Sequence, residues 1–144
     1  MNPLQAPALS LYALCASILA LHLIFLALWT GRVRVRSKKY VNPEDAVLNK
    51  ADRVDTEDAD VARVQRAHLN ALENAVPFFV VGLLYAMSGP SKLGAQAYFF
   101  TFTAVRVLHS IFYLWGRQPF RTLMFAIGVL VTIGMAVHVI RAAI

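Results

Sequence analysis

In the stretch Arg66-Ala67-His68-Leu69-Asn70-Ala71-Leu72-Glu73, three polar residues recur at helical spacing. Arg66, Asn70 and Glu73 stand at i, i+4 and i+7 and share one face of a helix. Arg106, His109 and Tyr113, at i, i+3 and i+7, form a second such stripe. Arg34, Arg117 and Arg121 add cations near the ends of apolar runs. Guanidinium groups offer planar forks suited to carboxylates, and Asn70, His109 and Tyr113 supply neutral donors and acceptors. The set suits a small, flexible, polyanionic ligand. It does not suit a metal, because histidines and carboxylates do not cluster at ligand spacing. No Ser-His-Asp signature or phosphate-cradling glycine loop appears. A juxtamembrane anchor is the simpler use for Arg66, but an anchor does not require Asn70 and Glu73 deeper on the same face.

These side chains must be carried by elements of an unusual kind. The chain of 144 residues is 58% hydrophobic and 15% charged, with a single cysteine, Cys15. One cysteine gives no intrachain disulfide and no cysteine-based metal site. Residues 1–31, 74–91 and 122–140 contain no Asp, Glu, Lys or Arg. Such gaps approach or exceed the roughly 20 apolar residues that cross a bilayer. The expected fold is all-α and integral to the membrane: an antiparallel bundle of four transmembrane helices in one domain, residues 1–144. The spans are placed at about 8–36, 62–87, 93–115 and 121–141, with a cytoplasmic loop over 37–61. The first apolar run lacks a basic flank and is too long for a signal peptide, so it reads as a retained span.

Seven of the eight acidic residues fall in the 37–61 loop, which reads as solvated with a turn at Asn42-Pro43-Glu44-Asp45. Pro77 is expected to bend the second span. Ser88-Gly89-Pro90-Ser91 reads as a tight turn, which makes spans two and three antiparallel neighbours. Gly128 and Gly134 allow close helix approach. His22 and His138 read as a packed and an interfacial histidine with no role in chemistry. Arg106 lies deep in the third span, where an unpaired arginine costs about 2.5–3.5 kcal/mol on insertion scales. From Asn74 onward there is no acidic residue, so Glu73 is the expected partner of Arg106. The basic loops at 32–66 and 116–121 fall on one side, assigned to the cytoplasm. That assignment turns the polar stripes toward the cytoplasmic half. The net charge of +6 belongs to these flanks; no zinc-finger, RNP or basic-helix pattern points to nucleic acid.

The stretch from Arg66 through Pro77-Phe78, preceded by Thr30-Gly31-Arg32-Val33-Arg34-Val35-Arg36 and Val41-Asn42-Pro43-Glu44-Asp45, resembles the MAPEG superfamily, membrane-associated proteins in eicosanoid and glutathione metabolism. Arg106-Val107-Leu108-His109-Ser110-Ile111-Phe112-Tyr113 and Pro119-Phe120-Arg121-Thr122 continue the likeness in order. It covers nearly the whole chain from Thr30 onward and is closest to the branch of microsomal glutathione transferases and prostaglandin E synthases. Leu69 matches the transferases, since the synthases carry arginine there. The hydroxyl of Thr122 matches the synthases' serine, and Phe125 replaces their tyrosine.

The resemblance implies a homotrimer that holds glutathione between subunits, in a site open to the cytoplasm and to lipid. Arg34, Arg66, Asn70, Glu73, Arg106, His109 and Tyr113 would bind glutathione. Arg121 and Thr122 would lie beside the sulfur, and Asp45 matches an aspartate implicated in synthase chemistry. The nucleophile of such an enzyme is a thiolate, and a guanidinium within about 4–6 Å can lower a pKa by 1–3 units. The implied activity is conjugation of glutathione to lipophilic electrophiles, with reduction of lipid hydroperoxides as a further activity. The alternatives are isomerisation of a lipid endoperoxide, or lipid binding without catalysis. Retention of Arg121 and of the Arg66/Asn70/Glu73 stripe argues against the last.

Overall fold

A computed structural model describes residues 6–144. Its elements in order are α1 (Pro7–Ser37), β1 (Lys39–Tyr40), α2 (Pro43–Leu48), β2 (Asp52–Arg53), α3 (Ala59–Met87), α4 (Lys92–Leu114) and α5 (Phe120–Ala143). The four long helices are each apolar and long enough to cross a membrane. At 1.5 Å per residue, α1 and α3 reach about 45 Å, well beyond a hydrocarbon core of about 30 Å. The C-terminal end of α1 therefore carries Arg32, Arg34 and Arg36 clear of the lipid, next to the start of α3. Arg34 Nη2 meets Glu57 Oε1 there at 2.6 Å.

Local chemistry sets the ends. Pro7 opens α1 at a position with no intrahelical N–H to lose, and Lys38, in the left-handed region at φ 53°, closes it. Asp58 caps α3 by accepting from the Asp60 N–H at 3.0 Å. That N–H, with Lys39 beside it, holds the Asp58 carboxyl below the usual carboxylate range. Ser91 caps α4 through the Gly94 N–H at 3.1 Å, directly after Gly89, whose φ of +72° favours glycine. α3 continues as one helix through Pro77.

The segment between α1 and α3 differs from the solvated loop expected of it. Asn42-Pro43-Glu44-Asp45 starts α2 rather than a turn: Pro43 stands in its first turn, with Glu44 and Asp45 against the positive end of the helix dipole. β1 and β2 pair in parallel, Lys39 with Asp52 and Tyr40 with Arg53, and α2 forms the crossover. Tyr40 and Ala46 are buried beneath it.

The interior is aromatic toward one end and polar toward the other. Phe78 and Phe102 stack at 4.3 Å, Phe99 packs edge-on against Phe78, and Tyr12 and Tyr85 pack edge-on against Phe99. Buried polar residues Thr103, Arg106, His109 and Ser110 occupy the other half. Ser110 Oγ lies 2.9 Å from His22 Nε2, so the first-span histidine is indeed packed and hydrogen-bonded. The outer surface is apolar instead: Leu21, Leu28 and Leu130 are 65%, 71% and 67% exposed. Apolar outside with polar groups within is the arrangement that lipid as solvent demands.

The small residues of α5 let it approach closely. A Cβ on Gly134 would meet the Tyr98 hydroxyl at 2.9 Å, and one on Gly128 would meet Arg106 Cδ at 3.3 Å. Gly128→Leu is therefore expected to displace Arg106 and to cost about 1–3 kcal/mol by overpacking. A lowered thermal unfolding midpoint in detergent checks this.

Candidate functional site

Helices α3, α4 and α5 meet around a cleft of about 260 Å³ lined by Asn70, His109, Tyr113, Arg121, Thr122 and Phe125. Asn70 comes from the face of α3 turned to α4. His109 and Tyr113 lie one turn apart on α4, with rings 5.8 Å apart. Arg121 and Thr122 occupy the first turn of α5, and Phe125 follows one turn later, its ring 6.2 Å from that of His109. The Arg121 guanidinium carbon sits 4.6 Å from the centre of the Tyr113 ring, a cation–π contact that holds the charge at the cleft wall. Thr122 Oγ1 donates to Gln118 Oε1 at 2.9 Å.

Arg106 stands behind this cleft rather than in it, and is only 1% exposed. Its Nη2 donates to Asn70 Oδ1 at 2.6 Å and to the Asn70 carbonyl at 3.3 Å. The expected pairing with Glu73 is thus corrected: the partner of Arg106 is Asn70. Glu73 lies three residues on, about 60° around the helix, and that rotation turns it to the exposed surface. Arg106 is thus tethered by an amide and a carbonyl, neither of which is a charged partner. Its Nε and Nη1, and His109 Nδ1, are buried without hydrogen-bond partners.

Of the residues singled out from sequence, the fold gathers Asn70, His109, Tyr113, Arg121 and Thr122 at one cleft, with Arg106 supporting Asn70. It does not bring Arg34, Asp45, Arg66, Glu73 or Arg117 there; Arg117 is exposed in the connection between α4 and α5. Arg34 is bound to Glu57 and lines a separate groove between α1 and α3, with Gln65, His68 and Leu69. Arg66 is exposed on α3. Asp45 lies in α2, where its Oδ2 accepts from Asn42 Nδ2 at 3.2 Å. Two contributors escape a sequence reading. Gln118 is signalled only by its i, i+4 relation to Thr122, and Glu57 is separated from Arg34 by 23 residues of chain.

The ion pairs among the described residues are Arg34–Glu57 and Lys39–Asp58. Arg106 and Arg121 thus have no carboxylate partner among the described residues. The cleft offers a guanidinium, a phenol, an imidazole and a hydroxyl, a donor-rich set suited to an anion. No group of His, Cys, Asp and Glu that could hold a metal is found among the described residues.

Residues 12–141 match the model of the MAPEG family. The chain belongs to that family. Its MAPEG relatives include human "Prostaglandin E synthase", 34% identical over 97% of this chain and 93% of that protein. Rat "Microsomal glutathione S-transferase 1" is 41% identical over 88% and 85%, and the human protein of that name is 38% identical over 91% and 88%. With four apolar helices in a MAPEG chain, the molecule is a multi-pass membrane protein.

Proposed function

We propose that this protein is a membrane-bound glutathione transferase that joins the sulfur of glutathione to lipophilic electrophiles and also reduces lipid hydroperoxides. The observation that carries the reading is the Arg121 guanidinium, held over Tyr113 in a cleft without a carboxylate to neutralise it. A free thiol with a pKa of about 8.5 is only a few per cent ionised at neutral pH, and a cation nearby favours the charged form. The residues present fit glutathione as co-substrate: Arg121 and Thr122 face the sulfur, and Asn70, His109 and Tyr113 hold the peptide. Arg106 acts through Asn70 as a positioning residue and adds a positive potential from behind.

Pockets that enclose a whole ligand measure about 300–1,000 Å³, and this cleft is smaller. A homotrimer of antiparallel four-helix bundles supplies the missing wall in this reading. The α1/α3 groove of one subunit would face the cleft of the next and bring Arg34, Arg66 and Glu73 toward glutathione. Asp45, from α2, would approach the same site from the loop. The excess of Lys and Arg beside the cleft end supports its opening toward the cytoplasm, and the apolar outer surface lets the electrophile arrive from lipid.

The test is turnover of a chloro-nitroaromatic by the detergent-purified protein. The carbon–sulfur bond forms, the carbon–chlorine bond breaks with its electron pair leaving on chloride, and the thiol proton passes to solvent. Thr122→Ala is expected to slow this reaction about two- to tenfold, because the hydroxyl gives up its bond to Gln118 Oε1 to donate to the sulfur and the net gain is about that of one neutral hydrogen bond. Turnover no faster than the reaction without protein would remove the transferase reading. The similar likeness to relatives named as synthases supports a second reading, isomerisation of a prostaglandin endoperoxide by the same sulfur. A comparison of the two substrates at one glutathione concentration separates them.

A further inference from the structure

A second cavity, of about 630 Å³, lies between the C-terminal end of α1, the start of α3 and the end of α4. Its apolar walls are Trp29, Val33, Leu114 and Trp115. Trp29 and Trp115 are the two tryptophans of the chain, and both mark the depth where amphipathic rings settle at a membrane interface. They are 37% and 68% exposed, so the walls are open to an occupant. Arg36 and Arg63 complete one side. A Cβ on Gly116 would meet Arg63 Nη1 at 3.4 Å, which places that guanidinium against the backbone just after Trp115.

Two carboxylates, Asp58 and Asp60, also line this cleft. Asp58 is already engaged by Lys39 Nζ at 3.3 Å and by its own cap hydrogen bond. Neither Arg36 nor Arg63 is in an ion pair among the described residues. The free cations therefore outnumber the free carboxylate, and the basic run of Arg32, Arg34, Arg36, Lys38 and Lys39 continues at the rim. Clustered Lys and Arg at the end of a transmembrane helix draw anionic headgroups, and guanidinium forks fit phosphate oxygens. An aromatic and aliphatic wall below a pair of unneutralised arginines matches an amphiphile whose anionic head sits above its acyl chains.

We infer that this cleft is a binding site for an anionic phospholipid of the surrounding leaflet, with its phosphate on Arg36 and Arg63 and its glycerol and upper acyl carbons against Trp29 and Trp115. Its lining residues come from the end of α1, the start of α3 and the end of α4, and none of them lines the cleft around Asn70 and Tyr113, so the site is separate from the glutathione cleft.

Both tryptophans report on it. The test is quenching of tryptophan fluorescence in the full-length protein in mixed micelles, by phosphatidylglycerol or phosphatidylcholine with brominated acyl chains. Half-maximal quenching is expected at a mole fraction of phosphatidylglycerol about tenfold lower than of phosphatidylcholine. In the double variant Arg36→Gln/Arg63→Gln the two lipids should become equivalent. The charge-matched control Lys50→Gln/Arg53→Gln, in the loop, should keep the preference. Equal quenching by both lipids in the parent would overturn the inference, as would a preference that survives in the double variant. Displacement of the brominated lipid by inorganic phosphate at matched concentration would assign the cleft to a free anion. Weak quenching by either lipid would show it covered by another subunit.

Discussion

Arg121→Leu is expected to leave the helical content and glutathione binding close to those of the parent while turnover at neutral pH falls roughly ten- to thirtyfold. The magnitude follows from the thiol: a guanidinium within about 4–6 Å lowers its pKa by 1–3 units, and from about 8.5 this raises the thiolate fraction at pH 7 by roughly that factor. Leucine keeps much of the packing on the Tyr113 ring and removes only the charge. The pH profile distinguishes this cause from simple damage. The folded site with Arg121 favours the deprotonated sulfur, so parent activity rises through a lower pH than that of the variant, and the two converge as alkaline pH ionises the thiol unaided. A constant ratio across the whole pH range would assign Arg121 a role other than sulfur ionisation.

The second large effect concerns stability. Asn70→Leu removes the side-chain acceptor that meets Arg106 Nη2 at 2.6 Å. It leaves a 1% exposed guanidinium with one carbonyl at 3.3 Å. Leaving a buried charged donor without its side-chain acceptor costs about 3 kcal/mol, so the unfolding midpoint in detergent should drop sharply and expression with it. Asn70→Asp, which offers a carboxylate at the same position, should retain the fold. An Asn70→Leu protein as stable as the parent would mean that Arg106 does not depend on Asn70.

That pair also shows where sequence reasoning ran out. The four apolar helices are legible because lipid leaves a chain few choices: about 20 apolar residues without a charge must satisfy their own backbone. Helical periodicity likewise places Arg106, His109 and Tyr113 on one face, and the fold sets His109 and Tyr113 around one cleft. Periodicity does not distinguish two residues about 60° apart. Asn70 and Glu73 are therefore equally near α4 on paper, and charge arithmetic favours the glutamate. The structure instead tethers the arginine by the amide of Asn70, which faces α4, while Glu73 is exposed.

The α1–α3 segment illustrates a different limit. Pro43 after Asn42, followed by Glu44 and Asp45, carries both a turn and a helix-start signal. The choice between them depends on burial of Tyr40 and Ala46, which only the tertiary packing supplies. The Arg34–Glu57 pair depends on the same crossover, so no local pattern announces it. Arg121 and Thr122 were readable as a motif, whereas the contact of Arg121 with the Tyr113 ring depends on how α5 leaves the connection after α4.

In the proposed mechanism Arg121 makes this cleft a place where a peptide thiol is held ionised. Ultraviolet difference absorbance of the detergent-purified protein mixed with glutathione at neutral pH measures that state directly. A thiolate band that saturates with glutathione, is absent from Arg121→Leu and is discharged when a chloro-nitroaromatic is added is the expected result. Saturable glutathione binding without any thiolate band in the parent protein would contradict it.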